Sequence, residues 1–297
     1  MSTTTTQARP ELSVIITCYY EEQSIEEFHR RLSEALEGTG RSYEIVYVND
    51  GSTDATWEKL EAIFEKDEHV THAIDLFWNV GKPAAMTAAF THAGGDWFLF
   101  IDSDLQLDPA ELPKFIEKID EGYDFISGYR TERHDPLFRK MASAFVNVLM
   151  RITSQNRLRD YGCSFKAIDA RILRAFEYGP FKPFRPAYIV TRVHHSAEVP
   201  VSHAPRKYGR SGWSLKSLSG FSLDYFVGIW QRPLLAIAGL AFICLLLLVL
   251  PVLLLYLYSD PQASGMAPGL ALVVIVFNLV VSVGLLALVA EFVVRNY

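Results

Sequence analysis

Cysteine is scarce in this chain: only three of its 297 residues are cysteines. They are Cys18, Cys163 and Cys244, and their spacing matches neither a disulfide framework nor a metal-ligand motif. The sequence therefore argues against a small disulfide-stapled secreted domain and favours a reducing compartment.

An excess of basic residues is also lacking. The chain has 28 Lys and Arg against 34 Asp and Glu, a net charge of −6, which argues against general nucleic-acid binding. The Thr-rich start, Met1 to Pro10, has no apolar segment, so we expect neither a signal peptide nor an anchor there. We predict a disordered tail over residues 1–11.

Two long stretches contain no charge of either sign, Leu234 to Tyr258 and Ala267 to Ala290. Each is long enough to cross a hydrocarbon core of about 30 Å as a helix, although a buried hairpin of core helices is an alternative. The loop between them has no Lys or Arg, whereas Arg232 precedes the first stretch and Arg295 follows the second. The positive-inside rule then predicts both termini in the cytoplasm. Asn278 indicates a helix contact, either within the hairpin or in a homo-oligomer.

Upstream of these stretches, short β-rich segments alternate with helical patterns. Strands are predicted at 12–17, 44–48, 70–76 and 97–101, with helices at 24–36, from about 54, after 82 and after 109. Tight alternation of this kind predicts an α/β fold with a mostly parallel sheet and helices on both faces.

Acidic turns follow three of these strands. Asp102 and Asp104 come directly after the fourth strand, Asp50 follows the second, and the turn containing Glu21 follows the first. Asp-x-Asp alone is a common tripeptide and is often a solvated turn. Because ligands of parallel sheets bind beyond the carboxyl ends of the strands, three such turns together predict a nucleotide site with a hard cation such as Mg²⁺ or Mn²⁺. Asp108, followed by Pro109, is predicted to cap a helix instead.

Two further segments have apolar residues at helical spacing. Residues 136–153, which include basic side chains, are predicted to form an amphipathic helix, either at a membrane surface or packed on the sheet. The aromatic-rich segment 213–232 runs into the first charge-free stretch and is predicted to be a juxtamembrane helix. The predicted division is thus a tail, a catalytic domain over 12–212, this helix, and a transmembrane hairpin over 233–297.

Several motifs occur in the order and spacing of family 2 glycosyltransferases. They are Ser13–Glu22, Val48–Asp54, Asn79–Lys82 and Asp102–Gln106. With Gly128–Arg130, Phe138–Lys140, Asp160–Cys163 and the two charge-free stretches, the chain resembles the polyprenyl-phosphate branch of that family. This branch includes dolichol-phosphate mannose synthase and undecaprenyl-phosphate glucosyl transferases. The segment Asp160–Cys163 is most similar to the formamido-arabinose transferases.

The resemblance implies a GT-A domain, Rossmann-like, that inverts the anomeric centre of a sugar. The implied donor is a nucleotide sugar, with a UDP-sugar favoured, and the implied acceptor is undecaprenyl or another polyprenyl phosphate. The implied place is the cytoplasmic face of the bacterial inner membrane. A membrane-tethered enzyme with another acceptor, and an inactive scaffold that keeps the fold, are the alternatives.

The resemblance also assigns roles to individual residues. Nucleotide contacts are implied for Thr17, Tyr19, Glu21, Asp50, Lys82 and Ser103. Contacts with a Mg²⁺ or Mn²⁺ cofactor are implied for Asp102, Asp104 and Gln106. The implied catalytic residues are Asp102, Asp104, Arg130 and Arg139. Guanidinium groups suit phosphate oxygens, and the candidates for binding the lipid phosphate are Arg130, Arg139, Arg206, Arg210 and Ser211. The alternative for the arginines is that they pair with surface carboxylates or lipid headgroups.

Three positions depart from the family pattern. Thr17 stands where the family usually has Pro, and Tyr20 stands where it usually has Asn. Gly212 replaces a common Lys, and Arg210 is a candidate for supplying that charge. These departures bear on donor identity more than on reaction class.

Overall fold

The computed structural model describes residues 9–131, 147, 158–176, 184, 189, 193, 195–205 and 207–208, and, near the C-terminus, 277–279, 281–282, 284–286 and 289. The chain divides into two compact units, Met1–Ser222 and Leu223–Tyr297. Four predicted phosphate-binding residues, Arg139, Arg206, Arg210 and Ser211, lie outside the described residues, as do nearly all of the segments 136–153, 213–232 and 233–297.

The part of the chain that the structure describes contains no helix that is long and apolar enough to span a membrane. The described residues within the second charge-free stretch, such as 277–279, are helical.

The first unit alternates strands and helices in chain order. The strands are β1 (Leu12–Cys18), β2 (Tyr43–Asn49), β3 (Val70–Asp75), β4 (Trp97–Phe100), β5 (Phe125–Arg130), β6 (Lys166–Asp169) and β7 (Ser196–Val201). The helices are α1 (Ile25–Glu37), α2 (Thr56–Lys66), α3 (Lys82–Phe90), α4 (Leu112–Asp120) and α5 (Ala170–Arg174), with a 3₁₀ turn at Pro109–Glu111.

The strands form one seven-stranded sheet in the order β3-β2-β1-β4-β6-β5-β7. Strand β6 runs antiparallel to both β4 and β5, whereas β1 is parallel to β2 and β4, β2 to β3, and β5 to β7. The predicted α/β fold with a mostly parallel sheet is therefore confirmed.

Both faces of the sheet are covered, as the apolar runs of β1, β2 and β4 require. On one face the core joins Val14 and Ile16 of β1 to α1, α2 and α4 through Phe28, Leu60 and Phe115. On the other face Phe90 of α3 packs against Phe98 and Phe100 of β4, at ring-centroid distances of 5.6 and 6.0 Å.

The four predicted strands are present, and each of their ends lies within one residue of the predicted position. The predicted cap at Asp108 is confirmed, since its carboxylate accepts a hydrogen bond from the Ala110 backbone N–H at 3.0 Å. Strands β5, β6 and β7 were not predicted. The sequence of β5 contains Gly128, β7 contains Pro200, and β6 has four residues, so none shows a long β-rich run.

Candidate active site

The Asp-x-Asp turn follows β4 at the carboxyl edge of the parallel strands. Asp102 is partly exposed, and its carboxylate forms an ion pair with the Lys82 ammonium. Asp104 is buried, and its Oδ1 accepts a hydrogen bond from the Gln106 backbone N–H at 3.1 Å. Leu105, which lies between Asp104 and Gln106, has a φ of +59° and turns the chain sharply. The two carboxylates thus differ: that of Asp104 is fixed by the backbone, and that of Asp102 pairs with a partly exposed ammonium group.

Lys82 reaches Asp102 because α3 begins at this residue, after Gly81 with a φ of +86°. The first turn of a helix carries unpaired N–H groups and the positive end of its dipole. The Lys82 ammonium and the start of α3 therefore place positive charge beside Asp102. This arrangement suits a nucleotide phosphate, and the predicted nucleotide contact of Lys82 stays a prediction.

Asp50, at the end of β2, is 3% exposed and is held by the loop that follows β3. Its carboxylate accepts hydrogen bonds from the Val80 backbone N–H at 2.8 Å and from the Asn79 side-chain amide at 3.1 Å. Burial raises the pKa of Asp50, and the Val80 and Gly81 backbone N–H groups oppose that shift. In this structure, Asp50 organises the loop after β3.

Gly51 allows the loop after β3 to pack closely against the turn that follows β2. Its φ is +68°, and a Cβ at this position would lie 2.3 Å from the backbone carbon of Trp78. Only glycine permits such an approach of two backbones. The loop then presents Phe77 and Trp78 to solvent, at 99% and 69% exposure.

The turn after β1 presents two tyrosines, Tyr19 and Tyr20, whose ring centroids are 4.4 Å apart. Tyr20 has a φ of +58°, and its hydroxyl hydrogen-bonds Thr53 at 3.0 Å. Asn adopts this left-handed backbone more readily than Tyr does. Tyr20 nevertheless has this conformation here, so the turn tolerates the departure from the family's Asn. Thr17 lies within β1, opposite Val48 of β2.

Glu21 and Ser103 have partners inside the protein. The Glu21 carboxylate accepts a hydrogen bond of 2.5 Å from the Ser24 hydroxyl, at the start of α1. Ser103 is 2% exposed and contacts Cys18, whose pKa burial raises to about 12. The middle residue of the Asp-x-Asp turn, Ser103, thus faces the interior, and the raised pKa of Cys18 predicts an unreactive thiol.

Arg130, at the end of β5, forms a bidentate ion pair with Asp160. Its Nε and Nη2 donate to the two carboxylate oxygens at 2.7 and 3.0 Å, and both side chains are largely buried. The same carboxylate accepts a hydrogen bond from the Gly162 N–H at 3.1 Å. A bidentate pair of this kind fixes the plane of the guanidinium group.

Gln106 links the Asp-x-Asp turn to the segment after β7. The Gln106 carbonyl accepts from the Ala204 N–H at 2.9 Å, and the Gln106 side-chain amide lies 3.5 Å from the Ala204 carbonyl. Further along, Lys207 pairs with Glu27 of α1 at 3.0 Å. The chain after β7 therefore lies beside the acidic turn at Ala204 and contacts α1 at Lys207.

Sequence reasoning missed three residues of this edge as individual site residues: Asn79, Asp160 and Lys166. Asn79 and Asp160 lie within motifs that the sequence did show, and both hold a predicted site residue in place. Lys166 starts β6 and is 4% exposed, although a lysine in a strand ordinarily indicates a solvent-facing position.

The residues of the turn fit a hard divalent cation. Two carboxylates one residue apart and a neighbouring amide supply oxygen ligands of the kind that Mg²⁺ and Mn²⁺ prefer, and the Lys82 ammonium shows that a cation is accommodated beside Asp102. No group of three or more His, Cys, Asp or Glu residues suited to a metal occurs within the described ranges. Asp102, Asp104 and Gln106 would fill only part of the coordination shell of such a cation, and water or phosphate oxygens would supply the remaining ligands.

Comparisons with known proteins agree with this architecture. Undecaprenyl-phosphate 4-deoxy-4-formamido-L-arabinose transferases of Salmonella paratyphi B and Salmonella newport are each 36% identical to this chain over 228 residues, 75% of this chain and 68% of theirs. Glucosyl-3-phosphoglycerate synthase from Mycobacterium tuberculosis, solved with Mn²⁺, UDP-glucose and phosphoglyceric acid, shares the fold. It superposes with a TM-score of 0.58 at 16% identity, covering 75% of this chain and 80% of that one.

These comparisons confirm the predicted GT-A-like fold and the predicted resemblance. The family model described as glycosyl transferase family 2 matches residues 13–177, which is more than half of the chain. The chain is a glycosyltransferase and belongs to glycosyl transferase family 2.

Proposed function

We propose that this enzyme transfers a sugar from a nucleoside-diphosphate sugar, with a UDP-sugar favoured, to undecaprenyl phosphate or another polyprenyl phosphate. The observation that carries the proposal is the convergence, at one sheet edge, of the Asp102–Lys82 pair with the Arg130–Asp160 pair. One pair suits the leaving diphosphate and the other suits an incoming phosphate. The formamido-arabinose transferases, at 36% identity, support the lipid acceptor.

The donor would lie across the ends of β1, β2 and β4. The nucleoside then meets Tyr19 and the Asp50 loop, and the diphosphate meets Lys82 and the Asp-x-Asp turn. Asp102, Asp104 and Gln106 would hold the Mg²⁺ or Mn²⁺, which supplies Lewis-acid stabilisation to the charge that develops on the leaving diphosphate. Lys82 at the start of α3 stabilises the same charge, since cations and helix N-termini bind phosphate oxygens well.

The acceptor needs positioning more than activation. A phosphate monoester has a second pKa of about 6 and is largely ionised at neutral pH, so it attacks without a general base. Arg130 is preoriented by Asp160, which lowers the entropy cost of aligning its guanidinium with a phosphate. We extend this role to Arg139, Arg206, Arg210 and Ser211 from the family pattern. A single displacement inverts the anomeric centre.

Location follows from the acceptor. A polyprenyl chain stays in the bilayer, so its phosphate must be met at the surface of the membrane. We propose the cytoplasmic face of the bacterial inner membrane, with the two charge-free stretches as spanning helices and the amphipathic segments at the interface. Asn278 in the second stretch would contact another helix, either within the hairpin or in a homo-oligomer.

The experiment compares wild type with Asp104→Asn and Asp108→Asn in the purified full chain. It uses undecaprenyl phosphate with a panel of UDP- and GDP-sugars, with and without EDTA. Each Asp accepts a backbone N–H through Oδ1, at 3.1 and 3.0 Å, and Asn keeps that acceptor, so both variants should fold. D104N is expected to lose transfer by a factor of about 100 or more, and D108N is expected to retain it. Normal turnover by a folded D104N would refute the role of the turn. Failure of every donor with wild type would refute the function.

A further inference from the structure

Lys166 is a buried ammonium group at the carboxyl edge of the sheet, outside the roles given above. It pairs in register with Phe100 on β4 and with Ser127 on β5. Directly paired residues of antiparallel strands point to the same face, and Phe100 contacts α3 through Phe90. Lys166 therefore lies on the α3 side of the sheet. Its partner on β4, Phe100, is two residues before Asp102.

The immediate partner of this ammonium is uncharged. Its Nζ donates to the Ser127 hydroxyl at 2.9 Å, and among the described residues no carboxylate forms an ion pair with it. Burial lowers the pKa of Lys166, Cys163 and Asp160 oppose the shift, and Arg130 and Lys82 add to it. The ammonium is thus within electrostatic reach of both cations assigned to the substrates.

A buried cation without an adjacent carboxylate is costly, and a protein retains it where an anion compensates it. At this edge the substrates themselves bring anions, since the donor has a diphosphate and the acceptor has a phosphate. Resting on the proposed function, we propose that Lys166 is a positioning residue that supplies fixed positive potential behind the Lys82–Asp102 and Arg130–Asp160 pairs and so strengthens the binding of phosphate groups in the cleft.

The position of the Lys166 ammonium group is fixed, so the electrostatic potential that it produces is constant. Ser127 fixes the ammonium from the neighbouring strand, and strands of the sheet hold both residues. In a low-dielectric interior a charge acts over longer distances than at an exposed surface. Lys82, by contrast, is partly exposed, so water screens its charge. Lys166 thus contributes a constant field, while Lys82 supplies the adaptable contact.

The test separates charge from structure by comparing Lys166→Met, Lys166→Gln and Lys166→Arg in the full chain, with Lys118→Met as a control. Lys118 is in the last turn of α4, which precedes the amino end of β5, and it pairs with Glu121. Affinities for UDP and for uridine, and for GDP and guanosine, are measured with Mn²⁺ present. The Michaelis constant for undecaprenyl phosphate is measured alongside.

We expect K166M and K166Q to have one of two effects, each of about tenfold, as for the loss of a charged interaction. Either the affinity for the nucleoside diphosphate that wild type binds falls, or the Michaelis constant for undecaprenyl phosphate rises. The neutral nucleoside should bind unchanged, and K166R should recover most of the loss. The first effect assigns Lys166 to the donor diphosphate, and the second assigns it to the acceptor phosphate. K166Q keeps a partner for Ser127 if the apolar variant folds poorly.

Equal weakening of nucleotide and nucleoside would mean a structural role and would overturn the inference. So would unchanged nucleotide affinity together with an unchanged Michaelis constant for the lipid phosphate. A wild type that binds nucleotide without transferring sugar would defeat the proposed function alone, because the comparison of nucleotide with nucleoside would still measure the effect of Lys166.

Discussion

Gly51→Ala is expected to push the loop after β3 off Asp50 and to weaken nucleotide binding. The added Cβ would lie 2.3 Å from the Trp78 carbonyl carbon and 2.5 Å from the Asn79 nitrogen. Carbon atoms in contact sit about 3.5 Å apart, so the loop must retreat by roughly 1 Å. That shift is enough to break the 2.8 Å hydrogen bond from Val80 to Asp50.

Gly40→Ala is the matched control. Gly40 has a φ of +66°, close to the +68° of Gly51, but a Cβ there meets nothing within 4 Å. Both variants place alanine in a left-handed backbone, at about 1 kcal/mol each. G51A adds the displaced loop and the weakened bonds to Asp50, about 2 kcal/mol more.

Thermal unfolding and UDP binding of the full chain distinguish the two variants. At about 3 °C per kcal/mol, G51A should melt about 6 °C below G40A. UDP affinity should fall in G51A and stay at the wild-type value in G40A. If the two variants melt together and bind UDP equally, the close approach of the loop to Gly51 does not hold in solution.

Three further outcomes are expected. Asp160→Ala leaves the buried Arg130 without its bidentate partner and should destabilise the protein by about 3 kcal/mol. Chemical denaturation measures this loss of stability, and a loss below about 0.5 kcal/mol would mean that the buried ion pair is not formed in solution. Cys18, with its pKa raised to about 12 by burial, should escape iodoacetamide at pH 8 in the folded protein and react in urea, and peptide mapping that finds it labelled without denaturant would contradict its burial. EDTA should abolish transfer and excess Mn²⁺ or Mg²⁺ should restore it, so full activity in EDTA would remove the metal from the reaction.

Much of the first half of the domain could be predicted from sequence. Short apolar runs such as 12–17 and 44–48 are bounded by polar turns, and the capping pattern at Asp108 sets the 3₁₀ turn before α4. Because parallel strands bring their carboxyl ends to one edge, the convergence of Asp50 with the Asp-x-Asp turn follows from the alternation alone.

The second half resisted prediction for physical reasons. Strand β6 is four residues long and carries a lysine, and its formation depends on pairing with both β4 and β5. The bond between Arg130 and Asp160 spans 30 positions of sequence, and no local pattern specifies it. Tertiary pairing therefore decides both the strand and the partner of the arginine.

The charges of this edge are compatible with the proposed transfer of a sugar from a diphosphate to a phosphate, even though the net charge of the chain is −6. The cations of the described site do not form an open basic patch: Lys82 pairs with Asp102, Arg130 with Asp160, and Lys166 is enclosed beside Ser127. Carboxylate partners orient two of these cations and lower the affinity for stray anions. A substrate phosphate must then offer the correct geometry as well as charge, since it has to compete with a carboxylate that is already in place. We therefore expect selectivity for the two proposed substrates to arise from paired charges at a single sheet edge, because excess positive charge would bind anions without discrimination.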